Sequence, residues 1–443
     1  MQNPRDLPRR EFLAASAAGV TLAAGLTPFA NAQPAAAPLA VDGGEKAVKT
    51  AFKQPPRFGE PERERLEEML GQDTLFYWKG PQTGIFTERF QQICPLKHVM
   101  TCSSGTAALH IAVAAAGIGP GDEVITAPIT DIGTVIGVIY QMGVPVFADL
   151  DPTTYNLDPV DVEKRITPKT KAIIAVHLAG NPCNLDALKA IADKHNLILI
   201  EDCAQAWGAK YRGKPIGTIG HIACWSLQNS KHITTGDGGV VASNDDTLGP
   251  KLQWYGDKGF DRIKGGQFSF FSTNYRMSET QAAVAAGQIT RLESIVATRS
   301  KLGNLLSERI TGVNGITAHN VHAEDRCSYW FYMLRMNPEA FTCDRAQFVK
   351  ALVAEGVQAS AGYIPVTMHH NPVFLNHSFF AGKWPVKDMG LTDMDFSKHE
   401  TPEAEKILTS GIRVVIHEAM PEPYIEEAAG AIRKVAAHYT KHA

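Results

Sequence analysis

From about residue 97 the chain alternates short, wholly apolar runs with stretches whose apolar residues recur every three to four positions. Val124-Ile125-Thr126, Pro145-Val146-Phe147-Ala148, Ala172-Ile173-Ile174-Ala175-Val176 and Leu197-Ile198-Leu199-Ile200 read as strands, as do 221–227 and 239–243. Between them, 132–142 is apolar and helix-like, and Leu185, Leu188, Ile191 and Ala192 form the stripe of a helix over 185–195. Continuously apolar strands alternating with helices predict an α/β fold with a mainly parallel sheet covered on both faces. Sheets of that kind carry their sites beyond the carboxyl ends of the strands. Ala286, Ile289, Leu292, Ile295, Leu302 and Leu305 predict one long helix over about 285–310. After it, 314–443 reads as a smaller α+β unit, with a strand near 329–336, a helix near 346–355 and a final amphipathic helix near 425–440. Residues 366–411 are loop-rich and show no period. The expected division is a large domain over 56–310 and a small C-terminal domain over 311–443.

The first 32 residues read differently. Arg9-Arg10-Glu11-Phe12-Leu13 precedes an uncharged Ala/Gly-rich stretch, Ala14 to Ala30, and then Ala30-Asn31-Ala32. A charged start, an apolar centre and small residues at a cleavage position are the parts of an export signal, and the paired arginines resemble the twin-arginine class. The expected location is the periplasm, with cleavage after the signal. An uncleaved membrane anchor is the alternative, and the Ala/Gly richness makes that span weak. Residues 33–55, beginning Gln33-Pro34-Ala35-Ala36-Ala37-Pro38, read as a linker.

Composition changes this picture little. Apolar residues at 44% and charged residues at 20% are ordinary for a packed globular chain. A formal net charge of -3 provides no basic field to hold a nucleic acid. The seven cysteines form no CxxC pair, and an odd number cannot all be bridged, so they read as free thiols with no metal site among them.

Four separated motifs carry candidate chemistry. Ser103-Ser104-Gly105-Thr106-Ala107-Ala108-Leu109 opens an apolar helix, and free N–H groups at such a start attract phosphate; taken alone it is also an ordinary helix cap. Ile200-Glu201-Asp202-Cys203-Ala204-Gln205 ends an apolar strand, placing Asp202 at the crevice, where a carboxylate can keep a pyridine nitrogen protonated. A capping aspartate is the plainer reading of that residue. Lys231 sits in a polar, glycine-rich turn, Ser226 to Gly239, between two apolar strands. A lysine held there can form a Schiff base with an aldehyde cofactor and serve afterwards as the base, though most turn lysines are simply solvated. Asn274-Tyr275-Arg276-Met277-Ser278-Glu279 opens the long helix, with an amide donor and a guanidinium suited to a carboxylate, or a capping Asn and a surface Arg.

In this order and density the four motifs resemble the DegT/StrS family of pyridoxal-phosphate aminotransferases, from about Trp78 to the C-terminus. Asp395-Phe396-Ser397-Lys398 and Ile416-His417-Glu418-Ala419-Met420 are most similar to the branch that aminates cyclitols. The resemblance implies a fold-type-I enzyme that binds pyridoxal 5'-phosphate through Lys231, which is also the proton shuttle. It implies that Asp202 binds the pyridine nitrogen, that Gln205 contacts the ring's O3′, and that Gly105, Thr106 and Ser226 hold the phosphate. It implies a homodimer with shared sites, in which Asn274 reaches the neighbouring subunit's phosphate, and it makes Arg276 a candidate for the amino donor's carboxylate.

Lys231 lies five residues after Ser226, the register of the transaminases rather than of the family's dehydratase, which carries histidine there. One position departs from the family. Ala127-Pro128-Ile129-Thr130-Asp131 places Asp131 where an aromatic ring usually stacks on the cofactor, which implies either a shifted cofactor or a substrate role for Asp131. The expected activity is amino transfer from glutamate or glutamine to a keto-sugar or keto-cyclitol. The alternatives are elimination or racemisation of an amino acid with the same lysine, and a non-catalytic cofactor-binding sensor.

Overall fold

A computed structural model of the chain describes residues 38–441 apart from residue 269. The export signal expected over 1–32, and the first part of the expected linker, lie outside the described residues.

Seven strands form the main sheet: β1 (His98–Cys102), β2 (Glu123–Thr126), β3 (Val144–Phe147), β4 (Thr170–Val176), β5 (Ile198–Asp202), β6 (Ile222–Ser226) and β7 (Gly239–Ser243). Their order is β1-β7-β6-β5-β4-β2-β3. β2 pairs in parallel with β3 and β4, β4 with β5, and β5 with β6, whereas β7 is antiparallel to both β6 and β1. Six strands therefore share one direction, and their carboxyl ends lie along one edge. Every residue of β3, β6 and β7 is buried, as continuously apolar strands between two helical layers must be.

Helices α1 (Glu60–Leu70), α2 (Pro81–Ile93), α3 (Gly105–Ala115), α4 (Gly133–Tyr140) and α5 (Leu185–His195) surround this sheet. α3 is apolar all round and buried at every residue but Thr106, so it forms part of the core. The helix expected over 285–310 is two helices, α6 (Glu279–Gln288) and α7 (Leu292–Ile310), separated by a 3-10 turn over Ile289–Arg291. At the break Thr290 turns its hydroxyl back on Gly287 O, 2.7 Å away, and Gly287 packs so close to α1 that a Cβ would stand 2.8 Å from Pro61 O.

The small unit has an antiparallel sheet of β8 (Ile316–Ala318), β9 (Tyr332–Met336), β10 (Ala359–Ala361) and β11 (Gly411–Val414), in the order β8-β9-β11-β10. Helices α8 (Arg345–Ala354), α9 (Pro402–Ser410) and α10 (Glu422–Tyr439) accompany it. The expected cut at 310 is not a clean boundary. α7 spans both cores, giving Leu292 and Val296 to the large one and Leu302, Leu306 and Ile310 to the small one. The aperiodic stretch from 366 does not belong to the small core either: Met368, Phe374, Trp384, Val386 and Phe396 form a third cluster on Val144 and Phe147 of β3. Its aromatic side chains come from turns and one-turn helices, so no period announces them.

Residues 38–55 were expected as a free linker, and the structure corrects that. Leu39 and Val48 are buried in the small core, and Phe52 packs edge-on against Tyr424 at 5.2 Å. The buried carboxylate of Glu355 accepts the Ala40 and Ala47 N–H groups, each at 2.8 Å, and Lys434 Nζ at 2.8 Å. Glu427 accepts the N–H groups of Lys49 and Thr50. Among the described residues no helix is long and apolar enough to cross a membrane, and all seven cysteines are free and buried.

Candidate active site

The carboxyl edge of the sheet holds a cavity of about 410 Å³ lined by Gly105, Thr106, Asp131, Asp202, Ser226 and Lys231 among others. Six of the residues singled out in the sequence, from four separate stretches of chain, thus meet in one place.

One wall is the start of α3. Ser104 caps it, its Oγ accepting the Ala107 N–H at 3.0 Å. The Gly105 and Thr106 N–H groups, on the first turn, have no intrahelical acceptor and are free for an anion. Gly105 lies against the end of β6: a Cβ there would stand 2.6 Å from Ser226 Cβ and 3.0 Å from its Oγ. The missing side chain is what lets a main-chain N–H and the Ser226 hydroxyl face the same small space.

The floor is Asp202, the last residue of β5 and 4% exposed. Its Oδ2 accepts the Thr134 hydroxyl at 2.9 Å and its Oδ1 the Ala204 N–H at 3.1 Å. Burial raises its pKa, and those two donors oppose the shift. Beneath it, Glu201 is fully satisfied by the Gly217, Ile219 and Gly220 N–H groups and by His177 Nε2 at 3.1 Å. His177 Nδ1 in turn accepts the Cys183 N–H at 3.0 Å, which fixes the ring.

Lys231 faces the same cavity and is 8% exposed. Burial lowers its pKa to about 8, while the charges of Asp202 and Asp131 pull the other way. Its Nζ has no hydrogen-bond partner among the described residues and stands 3.7 Å from the centre of the Trp330 ring. Trp330 is held by its Nε1 donating to Ser230 O at 2.7 Å and by its own N–H donating to Ala179 O at 2.9 Å. Tyr329, just before it, has φ +44°, and Ala179 has φ +59°; left-handed backbone at two non-glycine residues marks where the chain is bent to present this wall. The Lys231 carbonyl is braced from behind by the guanidinium of Arg57.

Gln205 is buried beside the cavity. Its Oε1 accepts the Ala179 N–H at 2.9 Å, so the amide nitrogen is the free end; it faces the Tyr363 hydroxyl at 3.4 Å and is oriented to donate to an oxygen. Asp131 lines the cavity and its Oδ1 caps the Gly133 N–H at 2.8 Å.

Two expected residues lie elsewhere. Arg276 is outside this cavity, paired with Asp257 at 3.0 Å and set beside the rings of Phe76 and Tyr77. Asp257 is buried and also takes Arg262 Nε and the Tyr77 hydroxyl, each at 2.6 Å. Within its own chain Arg276 is held by Asp257 and keeps about a fifth of its side chain exposed. Asn274 is exposed and likewise outside the cavity. Thr134, Trp330, Tyr363 and Arg57 were not anticipated. Only the run Tyr329-Trp330-Phe331-Tyr332 signals itself, by carrying more aromatic surface than one short strand needs.

These residues fit pyridoxal phosphate. The cradle at Gly105 and Ser226 suits a phosphate, Asp202 a pyridinium nitrogen, Gln205 Nε2 a phenolate oxygen and Lys231 Nζ an aldehyde. A buried lysine opposite a buried strand-end carboxylate, on a sheet with this strand order, defines a fold-type-I pyridoxal-phosphate enzyme.

The chain belongs to the DegT/DnrJ/EryC1/StrS aminotransferase family, whose model matches residues 56–425. It is 35% identical over 351 residues to the GDP-perosamine synthase of Caulobacter vibrioides, covering 79% of this chain and 89% of that one. It is 34% identical over 360 residues to a protein of Streptoalloteichus tenebrarius assigned as an L-glutamine:3-amino-2,3-dideoxy-scyllo-inosose aminotransferase, covering 79% and 85%. The X-ray structure of the aminotransferase from Psychrobacter cryohalolentis superposes with a TM-score of 0.77 at 30% identity, over 88% of this chain and all of that one. The protein is a pyridoxal-phosphate-dependent aminotransferase.

Proposed function

We propose that this enzyme moves an amino group from glutamate or glutamine to a keto-sugar or keto-cyclitol, in two half-reactions at one site. The observation that carries the reading is the Lys231 amine, buried and without a hydrogen-bond partner, in the same cavity as Asp202. The names of its relatives, a perosamine synthase and an inosose aminotransferase, supply the substrate class.

Bound pyridoxal phosphate supplies an electron sink for the carbon that loses or gains a proton. Lys231, with its pKa near 8, has a large neutral fraction at ordinary pH; its Nζ is first the nucleophile and then the base that carries the proton. Asp202, whose carboxylate is steadied by Thr134 and Ala204, would hold the pyridine nitrogen. Ser226 and the α3 N–H groups would anchor the phosphate, and Gln205 would donate to O3′. Trp330 covers Lys231 and keeps water from one side of it. Asp131 takes a hydroxyl or an ammonium of the substrate in place of the usual stacked ring.

Two copies complete each other's sites. The exposure of Asn274 supports its reaching the partner's phosphate, and the uncovered Phe268 and Phe271 nearby support a covered face. The N-terminal pattern Arg9-Arg10-Glu11-Phe12-Leu13 supports twin-arginine export to the periplasm. That location favours a free sugar or cyclitol over a nucleotide-linked one, since nucleotide sugars are made in the cytoplasm.

The test is spectroscopic. Purified protein should show a band near the visible edge that borohydride bleaches, and Lys231→Ala should lack it. Glutamine or glutamate should discharge the band, and a keto-cyclitol or keto-sugar should restore it with release of the aminated product. A protein whose band responds to a single amino acid and yields a keto acid without any acceptor would instead be an eliminase. Replacing Arg9 and Arg10 by Lys should retain the protein in the cytoplasm if the export reading holds.

A further inference from the structure

One cluster of metal-ligating side chains lies outside the cavity, where the segment beginning near 366 folds over β3 and meets α9. His370 Nδ1 stands 3.1 Å from Thr367 Oγ1 and 3.6 Å from Glu405 Oε1, and His369 Nε2 stands 3.4 Å from the same Thr367 hydroxyl. The ligand atoms of His369, His370 and Glu405 all lie within 4.8 Å of one another. Ligands about 2.0–2.1 Å from a tetrahedral zinc ion are about 3.3 Å from each other. The spacings of 3.1, 3.4 and 3.6 Å are therefore edge lengths of such a shell.

The Thr367 hydroxyl can donate to one of these imidazole nitrogens and accept from the other, but that pairing leaves the second nitrogen of His369 unsatisfied. His369 is 0% exposed, yet its Nδ1 has no partner, a costly state for a buried ring in a protein interior. The comparable group His177, Glu201 and Cys203 differs in this respect, because every polar atom of His177 and Glu201 there already has a partner. Arg165 is the cation packed nearest, through His399, and its charge is met by Asp161 at 2.6 Å.

We propose that His369, His370 and Glu405 bind one divalent transition-metal ion of the zinc type, with the Thr367 hydroxyl or a water as fourth ligand. Two imidazoles and a carboxylate are a borderline donor set that suits zinc and cobalt over calcium or magnesium. The ion would be structural. It would tie the 367–370 turn to α9, some 35 residues later in the chain. That turn also donates the Met368 N–H to Pro128 O at 2.8 Å, in the loop that carries Asp131, so the clip would brace a wall of the cofactor cavity.

The test uses the full chain purified without a histidine tag, stripped with a chelator and desalted. Titration with cobalt(II) should develop tetrahedral d–d bands that saturate at one ion per chain, and zinc should displace the cobalt. Thermal stability should rise with zinc. Glu405→Gln and His370→Ala change half-exposed residues and should fold; each should weaken cobalt binding at least tenfold, while His322→Ala, at an exposed site, should not. Absence of the bands in the parent protein, or equal binding by Glu405→Gln and His370→Ala, overturns the proposal. Amino-transfer activity is not the readout, so a failure here leaves the reading of the lysine site untouched.

Discussion

The Nζ of Lys231 stands 3.7 Å from the centre of the Trp330 ring. Such a contact favours the ammonium by about 0.5–2 kcal/mol, against a burial that favours the amine. The indole also fixes where the lysine's tip can lie, since its own position is set by Ser230 O on one side and Ala179 O on the other. Trp330→Phe keeps a ring but loses the Ser230 bond, and should cost less than tenfold in turnover. Trp330→Ala removes ring and shield together and should slow turnover roughly ten- to a hundredfold, of the order expected for a loosened base. Steady-state kinetics on both variants decides; equal rates for Ala and parent would dismiss the tryptophan as a positioning residue.

The pH dependence of cofactor capture should report the Lys231 environment directly. The neutral amine is the reactive form, and its pKa of about 8 means capture by the cofactor-free enzyme should rise with pH about a midpoint near 8. A solvated lysine would have its midpoint at about 10.4. Asp202 favours the ammonium, so Asp202→Asn should move the midpoint below that of the parent while reducing turnover by at least two orders of magnitude. Stopped-flow absorbance over that pH range checks both. A midpoint that moved upward in Asp202→Asn would refute the assigned proximity.

Gly105→Ala should lower cofactor affinity far more than any change in helix propensity explains. The added methyl meets Ser226 at 2.6 Å, and overpacking of that kind costs about 1–3 kcal/mol, or roughly five- to a hundredfold in binding. Gly84→Ala is the matched control: it lies in α2 with nothing within 4 Å and should stabilise by about 0.5–1 kcal/mol without touching affinity. Fluorescence titration and thermal melts separate the two.

Glu355→Ala should release residues 38–50 from the small core. It strands Lys434 and the Ala40 and Ala47 N–H groups at once, and breaking a buried pair costs about 3–5 kcal/mol. Limited proteolysis should then cut near residue 45 in the variant and not in the parent. A variant as resistant as the parent would return this segment to the status of a tether.

Much of the main sheet was legible because strands buried on both faces are short, mostly apolar runs rich in β-branched residues and bounded by turns. Helix 185–195 and strand 239–243 carry the bounds expected of them. The residues that line the cavity were legible for a different reason: Gly105, Asp202 and Ser226 stand at helix or strand ends, and Lys231 in the turn after one, each within a short motif. The setting of Arg276 was not legible, because a guanidinium looks alike whether it awaits a ligand or is already held by Asp257, and that partner, 19 residues away, has no motif of its own. The 366–411 region stayed opaque because its order comes from Phe147 and Trp384 packing across distant turns rather than from any local period.

The clasp of residues 38–50 on Glu355, Glu427 and Lys434 bears on how the molecule is made. These early residues leave the ribosome hundreds of positions ahead of the side chains that hold them, the last of which sit on α10. These contacts can therefore form only once α10 has been made. A nascent chain truncated before α10 should therefore leave residues 38–50 open to protease however well its large sheet has formed.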